Sequence, residues 1–554
     1  MNETIRAALG EVPADLLLHD ACIFNPFLGE WEETDLGIHS GTVLGPGTYR
    51  ARRTLDLAGA RVVPGLIDAH VHVESSLLSP FEFARVAAAH GTTTVVADPH
   101  EIANVLGAAG IEYMLSCRLF LPVDLLLMLP SCVPATSLDR GGAVLDAEAL
   151  RPFVDREGVL GLGEVMNVPG LLAQDPDLVA KTTGFDLIDG HAPGLEGASL
   201  NAYVMLGVQS DHESTTLAEG RDRLSRGMWL FVREGSTERN LTTLLPLVVP
   251  ATAPRMAFCT DDRHADLLVR AGSIDDCVRK AVDAGLELEL ALRMATLSAA
   301  ERFGLADRGA LTPGRRADIC VLAPGKEFRV TRTFVGGAEV KDQGPALARV
   351  TGPIRPMQCR IPTAAHLAVH LRGIARVIEL VPGQIRTRAV DLPLSDCSLP
   401  DPSADLLVGV VCDAYRGTGF GMGIVRGFGL RAGAIAGSVA HDAHQVVAVG
   451  ADPEAIVTAI HAVTSTGGGL GVVGDGKTTL LPLPIAGLMS DRPHDEVVEG
   501  LDRLHTHASA LGACEGAFMH LSFMALTVIP ERRLTERGVF DSSTWSDVPF
   551  VYQG

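Results

Sequence analysis

Leu66-Ile-Asp-Ala-His70-Val-His72 follows Pro64-Gly65 and ends in two histidines one residue apart. The apolar run reads as a buried strand. On a strand, residues i and i+2 face the same side, so both imidazoles point one way and can grip one metal ion. Where such a strand belongs to a parallel barrel, its C-terminal end opens on the face that carries the active site. An HxH pair also arises from core packing, so the neighbouring segments decide.

From residue 62 onward, short β-branched runs alternate with helical stretches, the pattern of repeated βα units and a parallel sheet. Eight runs qualify as strands: 65–72, 93–97, 125–129, 160–164, 186–189, 207–211, 228–232 and 256–260. Eight parallel strands within roughly 200–250 residues predict a TIM-like (β/α)8 barrel. The first helix is expected over 80–90, with Ser79 as N-cap and a stop before Gly91. Others are expected around 274–284 and 287–303. Residues 14–60 read as short strands between Gly and Pro turns, and 309–322 return to β character. The two flanking segments therefore predict a small β-sandwich. Three parts follow: 1–62 with 309–350 as the sandwich, 63–308 as the barrel, and 351–554 as a C-terminal α/β domain. Pro353, Pro356 and Pro362 mark the last boundary. Gly474-Asp-Gly-Lys-Thr-Thr479 superficially looks like a phosphate loop, but lacks the GxxxxGK[ST] pattern and reads as a turn.

The formal net charge of −21 disfavours nucleic acid and anionic membrane as partners, because both need a basic footprint. Mean hydropathy is +0.23, yet the richest apolar stretch, 121–130, is short and contains Asp124. The opening residues Met1-Asn-Glu-Thr-Ile-Arg6 lack the order of a signal peptide. Ten cysteines without a CxxC pair read as reduced thiols of a cytoplasmic protein.

Four more polar residues stand where predicted strands end. Glu164 closes Val159-Leu-Gly-Leu-Gly163, His191 follows Asp186-Leu-Ile-Asp-Gly190, His212 follows Gly207-Val-Gln-Ser-Asp211, and Asp261 follows Met256-Ala-Phe-Cys-Thr260. Any one alone reads as a satisfied polar residue at a loop start. Together with His70 and His72 they read as ligands of two divalent ions, Mn²⁺ or Fe²⁺ first and Zn²⁺ as a further option. Glu164 is the expected bridge. Asp261 is the second carboxylate and the expected general base, taking a proton from a metal-activated water.

Val63-Pro-Gly-Leu-Ile-Asp-Ala-His-Val-His72 resembles the first-strand motif of the amidohydrolase superfamily. The stretches 294–305 and 309–319 resemble its usual closure into a β-sandwich. Within the superfamily the chain is similar to a bacterial adenine-deaminating branch. That likeness rests on His70-Val-His-Val-Glu-Ser-Ser76, Ala97-Asp-Pro-His-Glu-Ile-Ala-Asn-Val105, Gly163-Glu-Val-Met-Asn167, Asp189-Gly-His-Ala-Pro193, Ser210-Asp-His-Glu-Ser214 and Cys259-Thr-Asp-Asp-Arg263. It runs over nearly the whole length. The resemblance implies hydrolytic deamination of adenine to hypoxanthine and ammonia, by attack of hydroxide at C6 with Asp261 as proton shuttle. It assigns His70, His72, Glu164, His191, His212 and Asp261 to the metals, with Glu164 where many members use a carboxylated lysine.

Glu74, Asp98, His100, Glu101 and Arg233 are candidate purine contacts; loop capping, support of the ligands, or a surface ion pair at Arg233 are the plainer alternatives. In Ser438-Val-Ala-His441-Asp442-Ala-His444, capping or an interface is favoured over a metal. The C-terminal domain is expected to close over the barrel mouth or to form a homodimer contact. The competing readings are another binuclear hydrolase, of dihydroorotase or dipeptidase type, and a scaffold that has lost catalysis.

Overall fold

The computed structural model describes residues 3–325, 327–341, 350–382 and 384–553. Met1 and Asn2, and residues 342–349 at the end of the flanking segment, lie outside them. The eight strands expected between 62 and 261 are all present. We number them β1 (Leu66–Val71), β2 (Thr92–Ala97), β3 (Asp124–Leu129), β4 (Val159–Val165), β5 (Ile188–Gly190), β6 (Ser210–Asp211), β7 (Trp229–Arg233) and β8 (Met256–Cys259). β1 to β5 form one parallel sheet and β6 to β8 a second.

Two seams close the barrel. The Gln209 N–H donates to the Ile188 carbonyl at 3.1 Å between β5 and β6. Between β8 and β1, Val71 pairs with Asp261 and the Asp261 N–H donates to the His70 carbonyl at 3.0 Å. Asp68 pins the second seam: it accepts the Thr260 N–H at 3.1 Å and the Thr260 hydroxyl at 2.5 Å. The apolar run that begins in β1 points Ile67 and Ala69 into the barrel, where they pack with Val96, Met128, Phe231 and Ala257 over a plug that includes Phe303. The pairing with β2 shifts register between Asp68 and Val71, so Val71 leaves the inward side for the outer core, and His70 and His72, two residues apart, share a face.

The helix Pro80–Ala89 has its Ser79 N-cap, whose hydroxyl accepts the Glu82 N–H. The helical stretch 288–302 runs through a π-turn at Met294–Ser298. The segments before and after the barrel join in one seven-stranded sheet, in which Ala51–Pro64 pairs in parallel with Ala14–Asn25 and antiparallel with Ile319–Leu322.

Beyond residue 363 the chain builds a nine-stranded mixed sheet covered by the helices Pro453–Ser465 and His494–Ala510, followed by a small sheet of Arg532–Thr535, Gly538–Asp541 and Ser546–Val548. Asp475-Gly476 is a two-residue hairpin turn with positive φ at both positions, 50° and 70°. That is the usual use of Asp-Gly in a hairpin. The C-terminal part docks on the barrel, where His494 Nδ1 lies 2.8 Å from Glu82. Among the described residues no helix is long and apolar enough to cross a membrane.

Candidate metal centre and its pocket

His70 and His72 leave the end of β1 beside Asp261, which follows β8. Glu164 stands near the end of β4, His191 follows β5, and His212 follows β6. The structure brings all six together. Glu164 lies between two groups: Oε1 is 3.2 Å from His72 Nε2, while Oε2 is 2.7 Å from His191 Nδ1 and 3.2 Å from His212 Nε2. Asp261 Oδ1 lies 3.2 Å from His72 Nε2 and 3.5 Å from His70 Nε2. The rings of His70 and His212 stack at 4.2 Å.

The donor set fits divalent cations. Ligand atoms of His70, His212 and Asp261, of His70, His72 and Glu164, and of Glu164, His191 and His212 form three groups, each within 4.8 Å. His70 Nε2 is buried without a hydrogen-bond partner. The His72 Nδ1–H donates to the Asp98 carbonyl at 2.9 Å, which turns the Nε2 lone pair toward the cluster. Burial lowers the pKa of His212, but its hydrogen bond to Glu164 and the charges of Glu164, Asp261 and Glu213 lift it to about 9. Burial raises Glu164 and Asp261, but the imidazoles around Glu164, and Arg233 beside Asp261, hold both well below the usual carboxylate range. The field that holds protons on these imidazoles favours a divalent cation in their place.

The supporting residues are also fixed by geometry. Asp98 Oδ2 accepts the Glu164 N–H at 2.9 Å. Gly163 makes this possible, since a Cβ there would lie 2.1 Å from that oxygen. Asp261 adopts a φ of 52°, rare for a non-glycine residue. Its Oδ2 accepts Arg233 Nη1 at 2.7 Å. Arg233 also grips Glu213 with two nitrogens, Nη2 at 3.1 Å from Oε2. Glu213 in turn lies 3.5 Å from His212 and 3.6 Å from His191.

Of the five expected purine contacts, His100 and Arg233 line the cavity; Glu74, Asp98 and Glu101 stand behind its wall. Arg233 is already engaged by Glu213 and Asp261. Glu74 accepts the Ile102 N–H at 3.0 Å and so supports the helix His100–Leu106. Glu101 receives both His441 and His444 from the C-terminal domain, one on each oxygen. The Ala440 N–H donates to His444 Nδ1 at 3.2 Å, which leaves Nε2–H to donate to Glu101 and makes His444 a clasp. Asp442 lies 3.4 Å from His100 Nε2, and His441 stacks on Phe523 at 4.4 Å.

Sequence reading missed several wall residues. Glu213 sits next to a predicted ligand in a quoted motif, yet nothing local gave it a role. Glu238, Asp262, Ile385, Phe523, Leu526, Val528 and Ile529 also line the cavity. The apolar ones lie more than 100 residues from any ligand, and no periodicity connects them to it.

Comparison with known proteins adds an independent finding. Residues 61–340 match the amidohydrolase family, and 384–546 match the adenine deaminase C-terminal domain. The chain is 60% identical to an adenine deaminase of Methanoculleus marisnigri, over 93% of this chain and 99% of that one. It is 54% identical to one of Methanoregula boonei, over 98% of both. A solved structure described as an adenine deaminase aligns with 59% of this chain and 99% of its own, at 16% identity and a TM-score of 0.43.

Proposed function

This chain belongs to the amidohydrolase family, in its adenine deaminase branch, and from that premise we infer that it hydrolyses adenine to hypoxanthine and ammonia. The observation that carries the hydrolytic part is the convergence of His70, His72, Glu164, His191, His212 and Asp261 on one point. The near full-length likeness to adenine deaminases supports the substrate.

His70, His72 and Asp261 would hold one divalent ion, His191 and His212 the other, with Glu164 shared. When bound, the ions supply a water acidic enough to act as nucleophile at neutral pH and neutralise charge that develops on the substrate. The residues of the chain do the rest. Arg233 fixes Asp261 Oδ2, leaving Oδ1 on the cavity side to take a proton and deliver it to the departing amino group. Glu213 is kept ionised by Arg233 and by His191 and His212, despite the opposing effect of burial. It suits an acceptor of N–H groups. Glu238 suits the opposite role: burial pushes its pKa to about 7, its Oε1 has no hydrogen-bond partner, and it lines the cavity. We assign it the proton for a ring nitrogen.

Manganese or iron is our first assignment for the ions and zinc the second, by the mixed nitrogen and oxygen donors. A cytoplasmic homodimer completes the reading. Ten free cysteines, six of them buried, suit a reducing compartment. Sedimentation reads the oligomeric state. The decisive test loads the protein separately with manganese, iron and zinc and offers adenine, dihydroorotate and a β-aspartyl dipeptide. Ammonia and hypoxanthine from adenine alone are expected. Turnover only of the amide substrates would replace this reading with the dihydroorotase or dipeptidase one.

A further inference from the structure

The apolar wall of the cavity comes mainly from one stretch. Phe523, Leu526, Val528 and Ile529 line it together with Ile385. With Met519 they form a hydrophobic cluster of their own, while Met524 and Ala525 of the same stretch join the main core and Val528 packs against both. Core packing at Met524 and Ala525 seats the stretch, but the backbone that turns the other cluster toward the cavity needs its own tie.

Arg533 supplies it. Its side chain is buried, with the residue 1% exposed. Nε donates to the Ile529 carbonyl at 2.7 Å and Nη1 to that of Phe523 at 3.0 Å. Nη2 donates to Ile385 at 2.9 Å and to Pro530 at 3.0 Å. Three of these four carbonyls belong to residues that line the cavity. Burial and the nearby Arg386 weaken its hold on a proton, and among the described residues no carboxylate offsets them. A buried cation without a counter-ion is costly, so its hydrogen bonds must do structural duty. The planar guanidinium can tie carbonyls of two separate segments into one arrangement, which a lysine ammonium cannot reproduce. Thr527 fastens the middle of the same stretch to the barrel by donating to Asp139 Oδ1 at 2.7 Å.

The cavity thus has an ionic floor and an apolar wall. That combination matches a flat heteroaromatic ring, with its polar edge on the floor and its face on the wall. We propose that the wall formed by Ile385 and residues 523–529 selects the planar base, and that Arg533 is the positioning residue that holds it in place. This rests on the deaminase reading above. The wall touches substrate before and during reaction alike, so its loss weakens binding more than turnover.

The test compares wild type with Arg533→Met and Arg533→Lys in the metal-loaded full chain. In both variants KM for adenine should rise about tenfold or more while kcat stays within about threefold, with lysine the milder change. The inhibition constant of unsubstituted purine, which has no amino group to lose, should rise in parallel. Metal content should stay that of wild type. Unchanged KM and purine affinity, or a collapse of kcat alone, would overturn the proposal. Should the Arg533 variants not fold, Phe523→Ala and Ile529→Ala carry the same expectation, and an unchanged KM in both sinks it. Wild type that releases no ammonia from adenine would instead remove the deaminase reading itself.

Discussion

Glu164 is the residue on which the site turns, since its two oxygens face two different sets of imidazoles. Glu164→Gln keeps the shape and removes the charge. It should bind fewer than two ions per chain and lose turnover by about a thousandfold or more; normal metal content and rate would overturn its assignment as bridge. Asp261→Asn removes the proton carrier we propose and should cost about 10²–10⁴ in kcat, read as ammonia release. Gly163→Ala tests the support from behind. Its Cβ would come 2.1 Å from Asp98 Oδ2, so Asp98 must leave the Glu164 N–H. Metal affinity should fall about 10–100-fold, and a titration matching wild type would show that this hydrogen bond does not matter. His70, His72, Glu164, His191, His212 and Asp261 were legible because each stands at or just past the end of a predicted strand, on the face where a parallel barrel carries its site. Arg233 was legible only as a charge at a strand end. Its partners, Glu213 and Asp261, come from the neighbouring strands, and that lateral pairing leaves no trace in the local sequence.

Among the elements, the barrel strands were legible to within a few residues because apolar runs of four or more between turn residues need no tertiary information. β5 and β6 were drawn too long at their starts: Asp186 and Gly207 lie outside the three-residue and two-residue strands that hydrogen bonding defines. The helix His100–Leu106 shows what an element reading misses. It looks like a barrel helix that carries polar residues, but its Glu101 is the socket for His441 and His444. Burial raises the pKa of Glu101, yet His441, His444 and His100 hold it well below the ordinary carboxylate value. Glu101→Gln should therefore strip His441 of its counter-charge and weaken the hydrogen bond that His444 donates inside the interface. Breaking such a buried pair costs about 3–5 kcal/mol, which should lower the thermal midpoint and open the linking segment near residue 350 to protease. Unaltered melting and digestion would mean that the domains are held by apolar packing alone.

At the scale of the whole molecule, the site is completed by two regions that the chain visits far apart, and sequence order carries no record of that meeting. One joint between them titrates. Asp139, on a barrel loop, accepts Thr136 Oγ1 at 2.6 Å and Thr527 Oγ1 at 2.7 Å, the latter from the stretch that walls the cavity. Burial, reinforced by Asp442, pushes its pKa to about 6 against the hydrogen bonds from Thr136 and Thr527. An unfolded aspartate titrates near 3.8. The folded chain therefore holds this proton more tightly than the unfolded chain. The resulting stabilisation is fully present below about pH 3.8 and is lost as the pH rises through about 6, a span worth about 3 kcal/mol. Asp139→Asn does not titrate and lacks this dependence. The thermal midpoint of wild type minus that of the variant should fall between pH 4 and 7 by about a few degrees at most, given the size of the chain. Fixed metal and salt keep the other titrating groups common to both proteins, so the difference isolates Asp139. A difference that is flat, or that rises with pH, would show that the aspartate is not held in the buried joint between barrel and wall.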